Sequence, residues 1–294
     1  MTTGIAGSTE SLSFNAEDFA LPDLSAPVIA AMVGHPRFDT AMQTTAAAMI
    51  GLYRGQWVLN RLVSDRGRFI PGLMILDLHF TVGGGTGFTT AQLRRDAATL
   101  GVCSPGRVNA LLASLRLLGF LKPVEADDRR MRRLAPTERF LDLHRDRWGR
   151  LFEALALIDA DGEAGRLALN NDAFLGAFAH VLVANYRSGA RMSDFVPELR
   201  RTAERDAGLT MLFSLMTGTA VGQSVSISSL ARRFLVSRAH VLTVLREAEE
   251  AGLAASAGSG YGAGPALPGA LRRFFAIMYL FQLHGIRAAQ KAVE

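Results

Sequence analysis

TTAQLRRDAATLGVCSPGRVNALLASLRLLGFLKPVEADDRRMRRLAPT, residues 89–137, decides the reading of this chain. Thr89 or Thr90 can cap a helix, and Gln92 stands three positions after Thr89, where a capping box needs it. Leu93, Ala97 and Leu100 keep one apolar face, and Gly101 ends the helix because it tolerates positive φ. A second helix opens at Ser104, with Pro105 at its first turn, where a missing N–H costs nothing. Val108, Leu111, Leu112 and Leu115 recur at helical spacing and seat it on a core, and Gly119 stops it. Phe120, Leu121 and Val124 read as a strand entering a turn at 126–130, and Met131 to Leu134 as the returning strand. Two helices and a hairpin carrying Arg129, Arg130, Arg132 and Arg133 result.

This segment resembles the winged helix-turn-helix of the MarR family of transcription regulators. Ser104 to Leu112 is similar to the start of that family's recognition helix, and Asp127 to Arg130 followed by Leu134-Ala135-Pro136-Thr137 is similar to its wing. The resemblance implies that Ser104, Pro105, Gly106, Arg107, Asn109 and Ala110 face a DNA major groove. It implies that Arg129, Arg130, Arg132 and Arg133 surround the wing, against phosphate or minor groove. A basic residue is frequent in that family where Ala110 stands.

The pattern recurs in SISSLARRFLVSRAHVLTVLREAEEAGL, residues 226–253. A gapless overlay pairs Ala97 with Leu230, Ser104 with Ser237, Val108 with Val241, Leu112 with Leu245 and Gly119 with Gly252. Gly72-Leu73-Met74-Ile75-Leu76 echoes Gly208-Leu209-Thr210-Met211-Leu212 upstream. A repeat of this length predicts a duplicated unit. The second unit is electrically weaker. Phe88 to Arg145 holds eleven Arg or Lys against six Asp or Glu, whereas Gln223 to Gly264 holds four against three. Its hairpin loop, AGSGYGAG at 257–264, has no cation with which to neutralise phosphate. Ser237, Arg238, His240 and Thr243 are the candidate contacts of its second helix.

The expected fold is mainly α with small β wings: two winged helix-turn-helix units plus connecting helices, arranged as a pseudo-dimer. The domain reading is a flexible arm over 1–34, a first unit over 35–145, linker helices and a second unit over 146–265, and a C-terminal packing helix over 266–294. Helices are expected over Thr40 to Ser64, Phe69 to Phe80, Phe140 to Asp159, Asp172 to Arg187, Phe195 to Ala207 and Pro268 to Ala289.

With 294 residues, 49% of them hydrophobic, the chain can bury a large core. Lys122 and Lys291 are the only lysines among 32 Lys and Arg, at a formal net charge of +5. Arginine's planar fork suits phosphate and guanine, although an Ala, Gly and Arg-rich composition also follows from high-GC coding. The single cysteine, Cys103, excludes an intramolecular disulfide and reads as a small buried residue in the inter-helix turn. Met1 to Asp23 lacks a basic start and an apolar run, and Phe274 to Leu283 is too short to span a bilayer, so the expectation is a cytoplasmic protein with no membrane partner.

Enzymatic signals are weak. Gly83-Gly84-Gly85-Thr86-Gly87 lacks the Lys-Ser/Thr pair and the βαβ context of a phosphate loop. Asp159-Ala160-Asp161-Gly162-Glu163 lacks the later ligands of a calcium loop and reads as a turn. The histidines are scattered, and neither a metal site nor a nucleophile–base pair emerges. No catalytic residue, metal or cofactor is expected. The expected partner is double-stranded DNA, read by two unequal units in one chain, either as a monomeric pseudo-dimer or as a homodimer. The alternative is a tandem protein-docking or architectural chromosome-associated module. A small apolar effector is a further candidate partner, with Tyr53, Trp57, Trp148 and Phe152 as its lining.

Overall fold

The computed structural model describes residues 20–52, 66–82, 84–125, 132–220 and 222–294. They form a mainly helical protein with one three-stranded and one two-stranded antiparallel sheet. The chain enters through α1 (Ala26–Val33) and α2 (Phe38–Gly51). Next comes α3 (Arg66–Asp77), which loosens into a π-helical turn over Leu78–Val82. Gly87, at φ 94°, then brings β1 (Phe88–Thr89) close to the hairpin: a Cβ there would sit 2.6 Å from the Leu134 carbonyl oxygen.

Thr89 caps α4 (Thr90–Thr99) with both halves of the capping box, its hydroxyl accepting from the Gln92 N–H at 3.1 Å while Gln92 Oε1 accepts from the Thr89 N–H at 2.8 Å. Ser104 caps α5 (Pro105–Leu117), which buries Val108, Leu111, Leu112 and Leu115. Gly119 takes φ 72° and releases the chain into β2 (Leu121–Val124) and β3 (Arg133–Pro136). The sheet order is β1-β3-β2, with Leu121 opposite Pro136 and Val124 opposite Arg133. In the described residues the returning strand runs from Arg133, and the expected start at Met131 lies outside them.

After α6 (Glu138–Leu155), α7 (Ala160–Ala168) and α8 (Asp172–Arg187), the same order repeats. Between them and the repeat lie α9 (Met192–Phe195) and α10 (Arg200–Ala203). The repeat comprises α11 (Gly208–Ala220), α12 (Ile227–Phe234), α13 (Arg238–Glu250), β4 (Ala254–Ala257), β5 (Gly260–Ala263) and the long α14 (Leu267–Val293). Val225 makes a single bridge to Tyr261 where the first unit has β1. Ser226 and Ser237 cap α12 and α13.

The gapless overlay is off by one residue in the first helix of the pair. Val102 N–H donates to Ala97 O and Val236 N–H to Ala231 O, and the left-handed residues that follow α4 and α12 are Gly101 and Leu235. Ala97 therefore corresponds to Ala231 rather than Leu230, and Cys103 is the extra residue of the longer turn, half-buried there.

The two halves are interleaved. Helix α2 packs on α11 of the second half and α8 on α3 of the first, while α1 lies on α14 and α7 on α6. Ion pairs fix the register: Asp39 of α2 pairs with Arg272 of α14, and Asp172 of α8 pairs with Arg145 of α6. Arg145 also holds Asp142 at 2.8 Å and Glu138. In the same register Thr45 meets Tyr279, hydroxyl to hydroxyl at 2.7 Å, where Phe178 meets Phe152 edge-on at 5.1 Å. A second tie crosses from α8: Asp77 takes His180 Nδ1 at 2.5 Å and Arg187 at 2.9 Å, and Arg187 reaches Asp96 of α4 at 3.4 Å.

Several expected boundaries move. Residues 26–33, placed in the flexible arm, are helical because Pro27 starts a turn whose apolar side chains reach α14. The unit boundary at 145 falls inside α6, so that helix closes the first half as α14 closes the second. Phe195 to Ala207 is not one helix. Val196 leaves the helical region at φ −136° before Pro197, which lacks the N–H to continue, and a short 3-10 turn, Pro197–Leu199, intervenes before α10. Asp159 is an N-cap rather than part of a turn, its carboxylate accepting from the Asp161 N–H. The final helix outruns Ala289 to Val293.

Candidate nucleic-acid interface

On α5 the apolar stripe faces inward, and Ser104, Pro105, Gly106, Arg107, Asn109 and Ala110 are exposed together at its N-terminal end. Ser104 Oγ accepts from the Arg107 N–H at 3.4 Å, which fixes where the first turn begins. Exposed Arg94 and Arg95 on α4 and Arg116 farther along α5 add positive charge to the same unit. Of the four hairpin arginines, Arg132 is exposed. Arg133 is not an outward wing cation: it is half-buried in β3 and donates to Thr86 Oγ1 at 2.6 Å, tying the hairpin base to the glycine loop. Arg129 and Arg130 lie outside the described residues. Arg139, which sequence reasoning left unassigned, anchors the far end of α5 by donating to Leu118 O at 2.8 Å and lying 4.6 Å from the Phe120 ring centroid.

The second unit presents less. Ser237, Arg238 and Thr243 are exposed, but His240 is half-buried and its Nε2 lies 3.0 Å from Asp206 O, a carbonyl that can only accept. Farther along α13, Glu247 is buried against Arg205 and is reached by Arg201 at 3.4 Å, and Arg201 holds Glu250 at 3.0 Å. The Arg205 guanidinium keeps the Glu247 carboxyl below the usual carboxylate range. Helix α10 and the turn after it thus occupy one flank of α13.

The aromatic effector set separates. Trp148 lines a cavity of about 420 Å³ between the halves. Phe152 is fully buried against Trp148 and Phe178 and does not line it, because its ring completes the crossing of α6 and α8. Tyr53 and Trp57 lie outside the described residues. Sequence reasoning missed His144, Asn185 and Gln282, which do line the cavity; the available signal was a polar residue at a buried helical position.

No helix among the described residues is long and apolar enough to cross a membrane. No family model matches the chain, and no curated protein or solved structure shows significant similarity to it.

Proposed function

We propose that the chain is a sequence-specific double-stranded DNA-binding regulator of transcription built from two winged helix-turn-helix units, with the first unit as the principal reader. The observation that carries this reading is the outward set on α5: Ser104, Arg107 and Asn109 share an exposed helix start, backed by buried Val108, Leu111 and Leu112. A helix of that kind can enter a major groove, with Arg107 and Asn109 bidentate to base edges, while Arg132 and the hairpin it leads from meet the backbone. The β1-β3-β2 sheet beside a capped helix pair supports the winged assignment.

The second unit reads weakly or serves as scaffold. His240 and Glu247 are committed to protein partners, and the β4–β5 hairpin carries no cation. The predicted target is therefore asymmetric, with one strong half-site and a second about 34 to 36 Å away if both units engage one duplex face. Selection of bound sequences from a random duplex library, followed by salt titration, tests this. The expected result is one conserved half-site with affinity falling steeply in salt. Salt-dependent binding without preference makes the protein architectural, and the absence of duplex binding makes it a docking module.

A further inference from the structure

The cavity between the halves lies astride their internal pseudo-symmetry. Met49 and Leu182 line it from equivalent turns of α2 and α8, as do Leu151 and Met278 from α6 and α14. The register fixed by Asp39 with Asp172 and by Arg145 with Arg272 sets α2 against α8 and α6 against α14, and pairs described wall residues of those four helices. At four wall positions a buried polar side chain in one half stands where the other half has Leu or Phe. Asn185 corresponds to Leu52, Gln282 to Leu155, His144 to Leu271 and Trp148 to Phe275.

Those four polar side chains are buried and unsatisfied. Asn185, Gln282, His144 and Trp148 are 2%, 3%, 2% and 4% exposed. Both amide atoms of Asn185, Gln282 Oε1, both ring nitrogens of His144 and Trp148 Nε1 have no hydrogen-bond partner. Leaving such a group unpaired costs about 1–3 kcal/mol each. The fold does not require them, since the other half fills the same positions with Leu or Phe. Burial, reinforced by nearby Arg147, drives His144 down to about 3, so it offers one donor and one acceptor as a neutral ring.

We infer that this cavity is a binding site for a neutral small molecule with an apolar body and an amide-like group that both donates and accepts hydrogen bonds. A carboxylate could meet the Trp148 and Asn185 N–H groups and the arginines that also line the cavity, Arg147, Arg150, Arg191 and Arg205, but it would leave Gln282 Oε1 and Asn185 Oδ1 unpaired. A pure hydrocarbon would satisfy none of them. The apolar wall of Leu73, Leu151, Leu182, Phe274, Met278 and Phe281 suits a ring or branched acyl body, and the volume lies within the range of small-ligand pockets. The lining reaches the surface at exposed Asp146, Arg150 and Glu204, which gives a route of entry. The site spans helices of both halves, so occupancy would bias their relative placement. The binding itself stands whether or not the chain reads DNA.

The test is calorimetric titration of the full chain, without DNA, with 2-naphthamide, 2-naphthoate and 2-methylnaphthalene, repeated on Asn185→Leu and Gln282→Leu. These variants copy the residues of the other half, and thermal melting checks that they fold. Saturable one-to-one binding of the amide, with the carboxylate and hydrocarbon at least about tenfold weaker and each variant losing about tenfold, is expected. Equal binding of all three probes, amide affinity unchanged in both folded variants, or no saturable amide binding would overturn the assignment.

Discussion

Replacing His144 with Leu, the residue its counterpart Leu271 already provides, should remove a large part of the protein's acid sensitivity. His144 is fully enclosed among α3, α6 and the Phe140 ring at 4.7 Å, and burial lowers it from 6.5 to about 3. The unfolded chain therefore binds a proton between those values that the folded protein refuses, so stability falls as pH drops from about 6.5 toward 3. One such group costs about 1.4 kcal/mol per pH unit in that window, or about 2 kcal/mol between pH 7 and pH 5. His79, lowered to about 4 chiefly by burial, contributes a similar sign and a somewhat smaller share because it is less enclosed. Urea unfolding of wild type and His144→Leu at pH 7, 6 and 5 measures the difference. The variant should match or exceed wild type at pH 7, since two unpartnered ring nitrogens disappear, and should lose roughly half of the acid-dependent destabilisation. An unchanged pH slope would show that His144 does not stay neutral inside the fold.

Leu235→Gly should stabilise the protein by about 1 kcal/mol in chemical denaturation, because Leu235 is 53% exposed and held at φ 56°, where the first unit uses Gly101. Destabilisation would mean that its side chain contributes more than its backbone costs. Gly87→Ala should cost at least about 2 kcal/mol by the same assay, from a φ of 94° and a Cβ 2.6 Å from Leu134 O; a neutral result would refute the tight approach of β1 to β3. Ser104→Ala and Ser237→Ala should each cost about 1 kcal/mol of stability, but only Ser104→Ala should weaken duplex binding appreciably, as read by fluorescence anisotropy.

Much of the helix–helix–hairpin order was legible because its signals are local. Thr89 with Gln92, Ser104 with Pro105, and Gly119 each act within one turn of chain, and all three do in the structure what their positions imply. The one-residue slip between Ala97 and Ala231 escaped because a gapless comparison cannot see a shortened turn, and Leu235 disguises a position where glycine is expected. The break at Pro197 was masked by apolar residues on either side that suit one helix by spacing alone. Interleaving of the halves was not legible: the Asp39–Arg272 pair joins opposite ends of the chain, and neither it nor the Asp172–Arg145 pair involves a locally distinctive residue. The cavity escaped for the same reason. Asn185 and Gln282 look like ordinary helix residues until the other half shows Leu52 and Leu155 in their places.

The central claim, that the exposed start of α5 reads base edges, is tested most directly by measuring salt-dependent affinity for the selected duplex with Asn109→Ala, Arg107→Ala and Thr243→Ala, against duplexes changed at single positions. Asn109→Ala and Arg107→Ala should each lose about 1–3 kcal/mol and relax preference at one or two positions of the strong half-site, while Thr243→Ala leaves both nearly unchanged. Equal affinity and unchanged preference in the two α5 variants would contradict the account.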